Sequence, residues 1–225
     1  MTVSNADLAH AIAALDQFIA KNLTKRLAAV EHALVGRSID AVSAIALDHQ
    51  ATTETLAGAS RIKSIASEIN VIIHAVGIVA CLPRVLDEGE VIRSVSLGAG
   101  NTGKDFDLET DQRVAEFKFI RWRGGSETIR QNVLFKDFYK LAEHPTMKRK
   151  YLYVLGTDEP LKFLNGRRQL RSVLKDAALN DAFFSKHGSE YHLVRDYFVV
   201  HCDRVNLVDV SPYVPELTDS DGGIA

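Results

Sequence analysis

The chain has 225 residues, of which 46% are hydrophobic and 25% are charged, and its formal net charge at pH 7 is −2. This composition is that of a globular protein with a core of its own, and it excludes a disordered or strongly basic chain. Cys81 and Cys202 lie far apart, so neither a disulfide framework nor a zinc ribbon is indicated. We expect a cytoplasmic protein without a secretory signal or membrane span, because the apolar run over residues 69–82 is shorter than the roughly 20 residues required.

The first third of the chain is rich in Ala, Leu and Ile and lacks proline, which predicts helices. Breaks near Asn22, Gly36 and His49 predict three short helices, followed by a long helix over residues 56–82 that Pro83 ends. In the long helix, one set of apolar residues recurs at helical spacing and is expected to face a sheet. This set consists of Ile62, Ile65, Ile69, Ile72, Val76 and Val79.

The pattern after residue 83 changes to short runs that predict strands over residues 90–97, 105–110 and 113–122. A helix is expected over residues 126–143, because Ser126 is a suitable N-cap and apolar residues follow at helical spacing. The near-continuous apolar run 151–155 predicts a strand buried on both faces, which is typical of a strand with a parallel neighbour.

The last part of the chain predicts one or two helices over residues 167–187 and two strands, over residues 192–202 and 205–210. We therefore expect an α/β fold whose mixed central sheet is flanked by helices. Its parts would be a helical extension (1–55), a core (56–156), a C-terminal α/β extension packed on that core (157–215) and a mobile tail (216–225).

A glycine-rich segment from Gly98 to Lys104 satisfies both GxGxxG and GxxxxGK, two patterns of phosphate-binding loops. Asp105 stands where a phosphate loop needs Ser or Thr, and both patterns also require a helix directly after the glycines. A helix there would place Asp111 and Gln112 on its apolar face. We therefore favour a flexible turn between two strands over a nucleotide-binding loop.

Glu116-Phe117-Lys118 is the only carboxylate-x-Lys tripeptide in the chain, and it lies in the middle of a predicted strand. A hairpin loop at Asp111-Gln112 would place Asp107 opposite Glu116, and Asp105 opposite Lys118. Strand alternation would put these four residues on one face and the following residues on the other: Phe106, Leu108, Ala115, Phe117 and Phe119.

Directly opposed carboxylates repel each other across two strands, and a divalent cation would turn that repulsion into a binding site. Mg²⁺ accepts a small number of oxygen ligands and leaves positions open for water and phosphate. The pattern alone leaves another interpretation open, in which the hairpin face is solvated and Lys118 pairs with Asp105.

This arrangement resembles the PD-(D/E)XK nuclease superfamily, in which an Asp stands on the second core strand and Glu-x-Lys on the third. The predicted order of elements over residues 57–156 fits the αβββαβ core of that restriction-endonuclease-like fold. The resemblance implies that Mg²⁺, or Mn²⁺, is held by Asp107, Glu116 and the backbone carbonyl of Phe117. It also implies that Lys118 orients or deprotonates the attacking water. The expected reaction is hydrolysis of phosphodiester bonds in nucleic acid, with DNA as the first choice.

Four further residues have weaker support. Gln131 and Phe135 resemble the QxxxY motif of the RecB-like branch, with Phe in place of Tyr. Glu68 stands on the long helix where many members carry an auxiliary acidic residue, so we expect it to point toward the hairpin. Asp105 competes for the metal role, because Phe106 occupies the position of the family's Pro. The expected nucleic-acid contacts are Arg121, Arg123 and Arg130.

Two alternatives stay open at this point. The first is a non-catalytic nucleic-acid-binding module that retains the nuclease fold. The second is a protein-interaction module, homodimeric or otherwise, in which the helical N-terminal third mediates assembly and the acidic hairpin is ordinary surface.

Overall fold

The computed structural model describes residues 5–19, 22–98, 103–122 and 127–218. The chain divides into two compact units, Met1–Asn70 and Val71–Ala225. The first unit is helical, as predicted, and contains α1 (Asn5–Ile19), α2 (Leu23–Leu34), α3 (Ile39–Asp48) and the start of α4 (Thr53–Val85).

The second unit is built on a mixed, open sheet of five strands. These are β1 (Ile92–Val95), β2 (Leu108–Thr110), β3 (Arg113–Lys118), β4 (Arg149–Val154) and β5 (Asn206–Asp209). They lie in chain order across the sheet. The first three strands are antiparallel neighbours, whereas β3, β4 and β5 run parallel. The predicted α/β class and the parallel setting of the run 151–155 are confirmed.

Helices flank this sheet. They are α5 (Thr128–Glu143), α6 (Asp158–Leu164), α7 (Leu170–Val173), α8 (Ala177–His187) and α9 (Val194–His201). Short 3₁₀ turns follow at Cys202–Arg204, Ser211–Tyr213 and Pro215–Leu217. The predicted helix before β4 and the predicted strand over residues 205–210 are therefore present.

Two apolar clusters cover the two faces of the sheet. On one face, Ile78 and Cys81 of α4 lie in the same cluster as Leu108, Ala115 and Phe117. On the other face, Val114 and Leu152 lie with a large cluster formed by α5 and the C-terminal helices. β3 is thus buried on both sides. A charged residue in its middle is therefore withdrawn from water instead of lying on a solvated face.

The helix α4 presents a different face to the sheet from the one that we predicted. Ile72, Val76 and Val79 are exposed, whereas Ile78 and Cys81 are fully buried. The run 69–82 is apolar nearly all round, so its periodicity could not select a face. Gly77 helps to explain the choice, because a Cβ there would lie 2.9 Å from the Phe119 ring. Only a glycine lets the helix approach the sheet this closely.

By length and apolar composition alone, α4 could also cross a membrane. Core helices of water-soluble proteins pass the same test, and in the second unit the side of α4 that packs on the sheet is buried.

Two other predictions on secondary structure were wrong, the strand over residues 192–202 and the end of the long helix at Pro83. Residues 192–202 form α9 instead of a strand, because the carboxylate of Asp196 accepts hydrogen bonds from the backbone amides of His192 and Leu193 and so caps a helix. Pro83 lies within the last turn of α4, which continues to Val85. The prediction of one or two helices over residues 167–187 is confirmed, because α7 and α8 both lie in this range.

Candidate active site

The β2–β3 hairpin has the predicted register. Leu108 lies opposite Ala115 and Glu109 opposite Val114. The same register places Asp107, the residue just before β2, next to Glu116. The hydroxyl of Thr110 holds the turn by accepting hydrogen bonds from the backbone amides of Gln112 and Arg113, at 2.9 and 2.8 Å.

Asp107 is held from two directions. The backbone amide of Phe117 donates to Oδ2 at 2.9 Å, and His74 Nε2 of α4 lies 3.1 Å from Oδ1. Burial acts to raise the pKa of Asp107, but the hydrogen bond from His74, the charge of Lys118 and the Phe117 amide bring that pKa below its ordinary value. Asp107 is therefore an ionised and oriented carboxylate at neutral pH.

Glu116 is only 8% exposed, and its side chain is turned toward α5. Its Oε2 accepts a hydrogen bond from Lys118 Nζ at 3.1 Å. Burial raises the pKa of Glu116 to about 8, and the nearby charges of Asp137 and Asp107 act in the same direction, against the attraction of Lys118. This carboxyl group therefore binds a proton near neutral pH.

Asp137 of α5 completes the cluster, and it is 5% exposed. Its Oδ2 lies 2.9 Å from Lys118 Nζ, although the angle between the groups is not that of a hydrogen bond. Burial alone would lower the pKa of Lys118, but the charges of Asp137, Glu116 and Asp107 raise it above its ordinary value. Lys118 is thus a firmly protonated ammonium between the carboxyl groups of Glu116 and Asp137.

Glu90 gives an internal comparison for a buried carboxylate in the same sheet. Its side chain is fully buried, and it forms a two-pronged ion pair with Arg113 at the start of β3. Despite burial, the hydrogen bonds from Arg113 and Thr110 lower the pKa of Glu90 to about 2. Arg113 also pairs with Asp87, but that carboxylate is half exposed, whereas the second carboxylate that shares Lys118 with Glu116 is the buried Asp137.

Asp105 and Phe106 depart from the predicted alternation. Strand pairing begins only at Leu108, so residues 103–107 are not bound to strand geometry. Phe106 joins the cluster on the α5 side of the sheet, instead of lying with Leu108. Asp105 is exposed, and in the described part of the chain the ion pairs of Lys118 are with Glu116 and Asp137.

The glycine segment precedes this site. Gly98 and Gly103 both have positive φ, at 81° and 67°, and residues 99–102 between them lie outside the described ranges. A strand, β2, follows instead of a helix. The helix N-terminus that a phosphate loop requires is therefore missing from residues 103–110.

Two of the three arginines that we expect to contact nucleic acid form hydrogen bonds within the protein. Arg121 donates to the Thr218 carbonyl at 3.0 Å. Arg130 donates to the Arg121 carbonyl at 3.0 Å and pairs with Glu127. Arg123 lies outside the described residues. The binding role of these three arginines stays a prediction.

The two auxiliary candidates differ in their surroundings. Gln131 is half-buried and its side-chain oxygen accepts from Arg168, while Phe135 is fully buried in the core. Glu68 is exposed and belongs to the first unit. Every other residue of the site described here comes from the second unit. The proposed role of Glu68 therefore stays a prediction.

Sequence reasoning missed His74 and Asp137. Both carried a signal, since each is a polar residue inside an otherwise apolar helical stretch: His74 in the run 69–82, and Asp137 between Leu134 and Phe138. A buried polar residue in such a stretch requires a partner. The partners are Asp107 and Lys118, respectively.

The predicted metal ligands comprise two side chains, Asp107 and Glu116, and one backbone carbonyl. Among the residues that the structure describes, no group of three or more His, Cys, Asp and Glu side chains is arranged to hold a metal ion. Comparison of the chain with models of known protein families, with curated proteins and with solved structures found no match.

Proposed function

We propose that this chain is a Mg²⁺-dependent phosphodiesterase that hydrolyses nucleic acid, with DNA as the first substrate to test. The observation that carries the proposal is the charge imbalance around Lys118, where the carboxyl groups of Asp107, Glu116 and Asp137 surround a single ammonium. Glu116 binds a proton near neutral pH in the metal-free protein. If a bound cation displaced that proton, the three carboxylates would exceed the Lys118 ammonium by two negative charges. A divalent cation has the charge that would balance them.

The order of elements supports the finer proposal of a PD-(D/E)XK-like core. The sequence α4–β1–β2–β3–α5–β4 follows the αβββαβ order of that superfamily. Asp107 lies at the start of the second strand, and Glu116 and Lys118 lie on the third, at the antiparallel-to-parallel junction of the sheet.

In this proposal, Asp107, Glu116 and the Phe117 carbonyl would hold Mg²⁺, or Mn²⁺. The bound metal would polarise the phosphoryl oxygen and lower the pKa of a water. Lys118 would orient that water for attack on phosphorus, and the bond to the 3′ oxygen would break to leave a 5′-phosphate product. Asp137 would keep the Lys118 ammonium in place, and His74 would fix the rotamer of Asp107.

The second candidate is a binding module that has the fold but no turnover. One observation favours it, which is that Lys118 already pairs with two carboxylates and is therefore fully engaged without a metal. Cleavage in the presence of a metal decides between the two candidates.

The test is a cleavage assay with end-labelled single-stranded DNA, duplex DNA and RNA, each with Mg²⁺, Mn²⁺ or EDTA. We expect metal-dependent cleavage that Asp107→Asn reduces at least about 100-fold, because the charge on the metal ligand is lost. The Asn side chain can still accept the Phe117 amide, so the variant should fold. Asp105→Asn should retain activity. Full activity of Asp107→Asn at saturating Mg²⁺, or no cleavage under any condition, contradicts the proposal.

A further inference from the structure

A basic cavity lies where α5 ends, β4 begins and α9 is followed by its 3₁₀ turn. Its volume is about 500 Å³. Three of the residues that line it are cations, Lys150, Lys186 and Arg204, and Glu143 is the carboxylate among them. The remaining lining residues are Ala142, His144, Pro145, Thr146 and Met147.

The three cations differ in the hydrogen bonds and ion pairs that they form with the rest of the protein. Lys150 donates to the backbone carbonyls of Ala142 and His144, at 3.0 and 2.8 Å, and so neutralises the negative end of the α5 dipole. Lys186 pairs with Glu143. Arg204 is exposed, and its side chain forms no ion pair or hydrogen bond with any residue that the structure describes. The cavity thus has an excess of positive charge that centres on Arg204.

The excess of positive charge affects the pKa of a lysine in the cavity. The pKa of Lys150 is below its ordinary value, first because the amine is partly buried and then because Arg204 is close. Glu143 is occupied by Lys186 and by the Tyr197 hydroxyl, which donates to it at 2.6 Å. An anion that enters the cavity would therefore relieve the repulsion between Lys150 and Arg204.

A second, smaller cavity extends from the basic cavity toward the candidate active site. Its volume is about 240 Å³, and it shares Glu143 and His144 with the basic cavity. Its lining also includes Lys140 and the two residues that directly precede Asp107, Asp105 and Phe106. Lys140 lies three residues after Asp137, so the two share a side of α5. Asp137 and His144 are about 10 Å apart along the helix axis at 1.5 Å per residue.

We propose that the basic cavity binds a backbone phosphate of the nucleic-acid substrate, a few nucleotides from the bond that is cleaved. Arg204 provides the free charge, and Lys140 lies along the path between this phosphate and the active site. The inference rests on the proposed function for the identity of its ligand. It does not require the chain to cleave, because a phosphate contact contributes to affinity without a metal.

The test measures binding of a fluorescein-labelled 12-nucleotide single-stranded DNA by anisotropy in EDTA, where no metal-dependent cleavage takes place. We expect Arg204→Gln to weaken binding about 3- to 10-fold and to reduce the slope of log K against log salt concentration by about 0.7, the value for one phosphate contact on a single strand. Arg204→Lys keeps the charge and should keep most of the affinity.

Arg167→Gln is the matched control, because Arg167 is an exposed arginine outside the cavity, and this substitution should leave affinity and salt slope unchanged. Equal binding by the wild type and Arg204→Gln, equal losses in both arginine variants, or no binding by the wild type would overturn the inference. Binding that responds to Arg204 without cleavage in Mg²⁺ or Mn²⁺ would support the inference while the proposed phosphodiesterase activity fails.

Discussion

Glu116→Gln should stabilise the metal-free protein while it abolishes metal-dependent cleavage. The substitution preserves the shape of the side chain and removes the charge that burial, Asp137 and Asp107 all oppose. Because the folded-state pKa of Glu116 is about 8 and its ordinary value is 4.5, folding keeps a proton on this group between those pH values. The folded state is therefore penalised progressively as the pH rises from 4.5 toward 8.

The size of the effect follows from this interval. At about 1.4 kcal/mol per pH unit, the penalty at pH 7 reaches at most about 3 kcal/mol. The pKa of about 8 already includes the attraction of Lys118, and burial of the polar amide of the variant has a cost of its own, so we expect a net gain of about 1–2 kcal/mol in the free energy of unfolding. At pH 5 the gain should nearly vanish, because pH 5 lies close to the ordinary pKa of the carboxyl group.

The assay is urea unfolding in EDTA at pH 5, 7 and 8, followed by circular dichroism, with Glu88→Gln as a control that removes a carboxylate from an exposed loop. Saturating Mg²⁺ should raise the free energy of unfolding of the wild type and leave that of the Glu116→Gln variant nearly unchanged. If Glu116→Gln is less stable than the wild type at pH 8, the charge of Glu116 is already compensated inside the protein, and the argument for a missing cation fails.

Three further predictions concern the surroundings of the site. Lys118→Ala should lower turnover at least about 100-fold without weakening Mg²⁺ binding, as calorimetry would show, and a lost metal affinity would indicate a structural role instead. Gly77→Ala should lower the free energy of unfolding by about 1 kcal/mol, because overpacking against Phe119 outweighs the gain in helix propensity; an unchanged urea midpoint would show that the ring can move aside. His201 is buried, and burial followed by the charge of Arg204 lowers its pKa, so its contribution to stability is lost as the pH falls below about 6.5. His201→Phe should therefore reduce the loss of thermal stability between pH 7 and pH 5, and an identical loss in both proteins contradicts this.

The hairpin register could be predicted because it depends on local information. A short loop at Asp111-Gln112 leaves one register for the residues on either side, and the observed pairs, Leu108 with Ala115 and Glu109 with Val114, have that register. The side chains near the site were less predictable. Phe106 lies outside the strand pairing, so the alternation rule no longer applies to it, and the cluster on the α5 side of the sheet determines its position instead.

The exposed face of α4 shows a different limit of prediction from sequence. Helical periodicity identifies a buried face only when the opposite face is polar, and the run 69–82 has apolar residues around nearly the whole helix. The face that packs on the sheet contains Gly77, because the Phe119 ring requires a position without a Cβ. This steric requirement arises between residues more than 40 positions apart, so a local sequence pattern cannot predict it.

The burial of β3 strengthens the functional argument beyond what the sequence allowed. On a solvated hairpin, Glu116 and Lys118 would form an ordinary surface pair that contributes little to stability. In the structure they lie on a central strand with apolar clusters on both faces, where a charge without a full partner destabilises the fold. The same strand begins with Arg113, which forms a two-pronged ion pair with the buried Glu90 and also pairs with the half-exposed Asp87, so the fold can accommodate a buried carboxylate with a strong cation partner. Near the other end of β3, His74 of α4 contacts Asp107, and Glu116 shares Lys118 with Asp137 of α5. In our proposal, a bound cation would balance these carboxyl groups, which have a single ammonium between them.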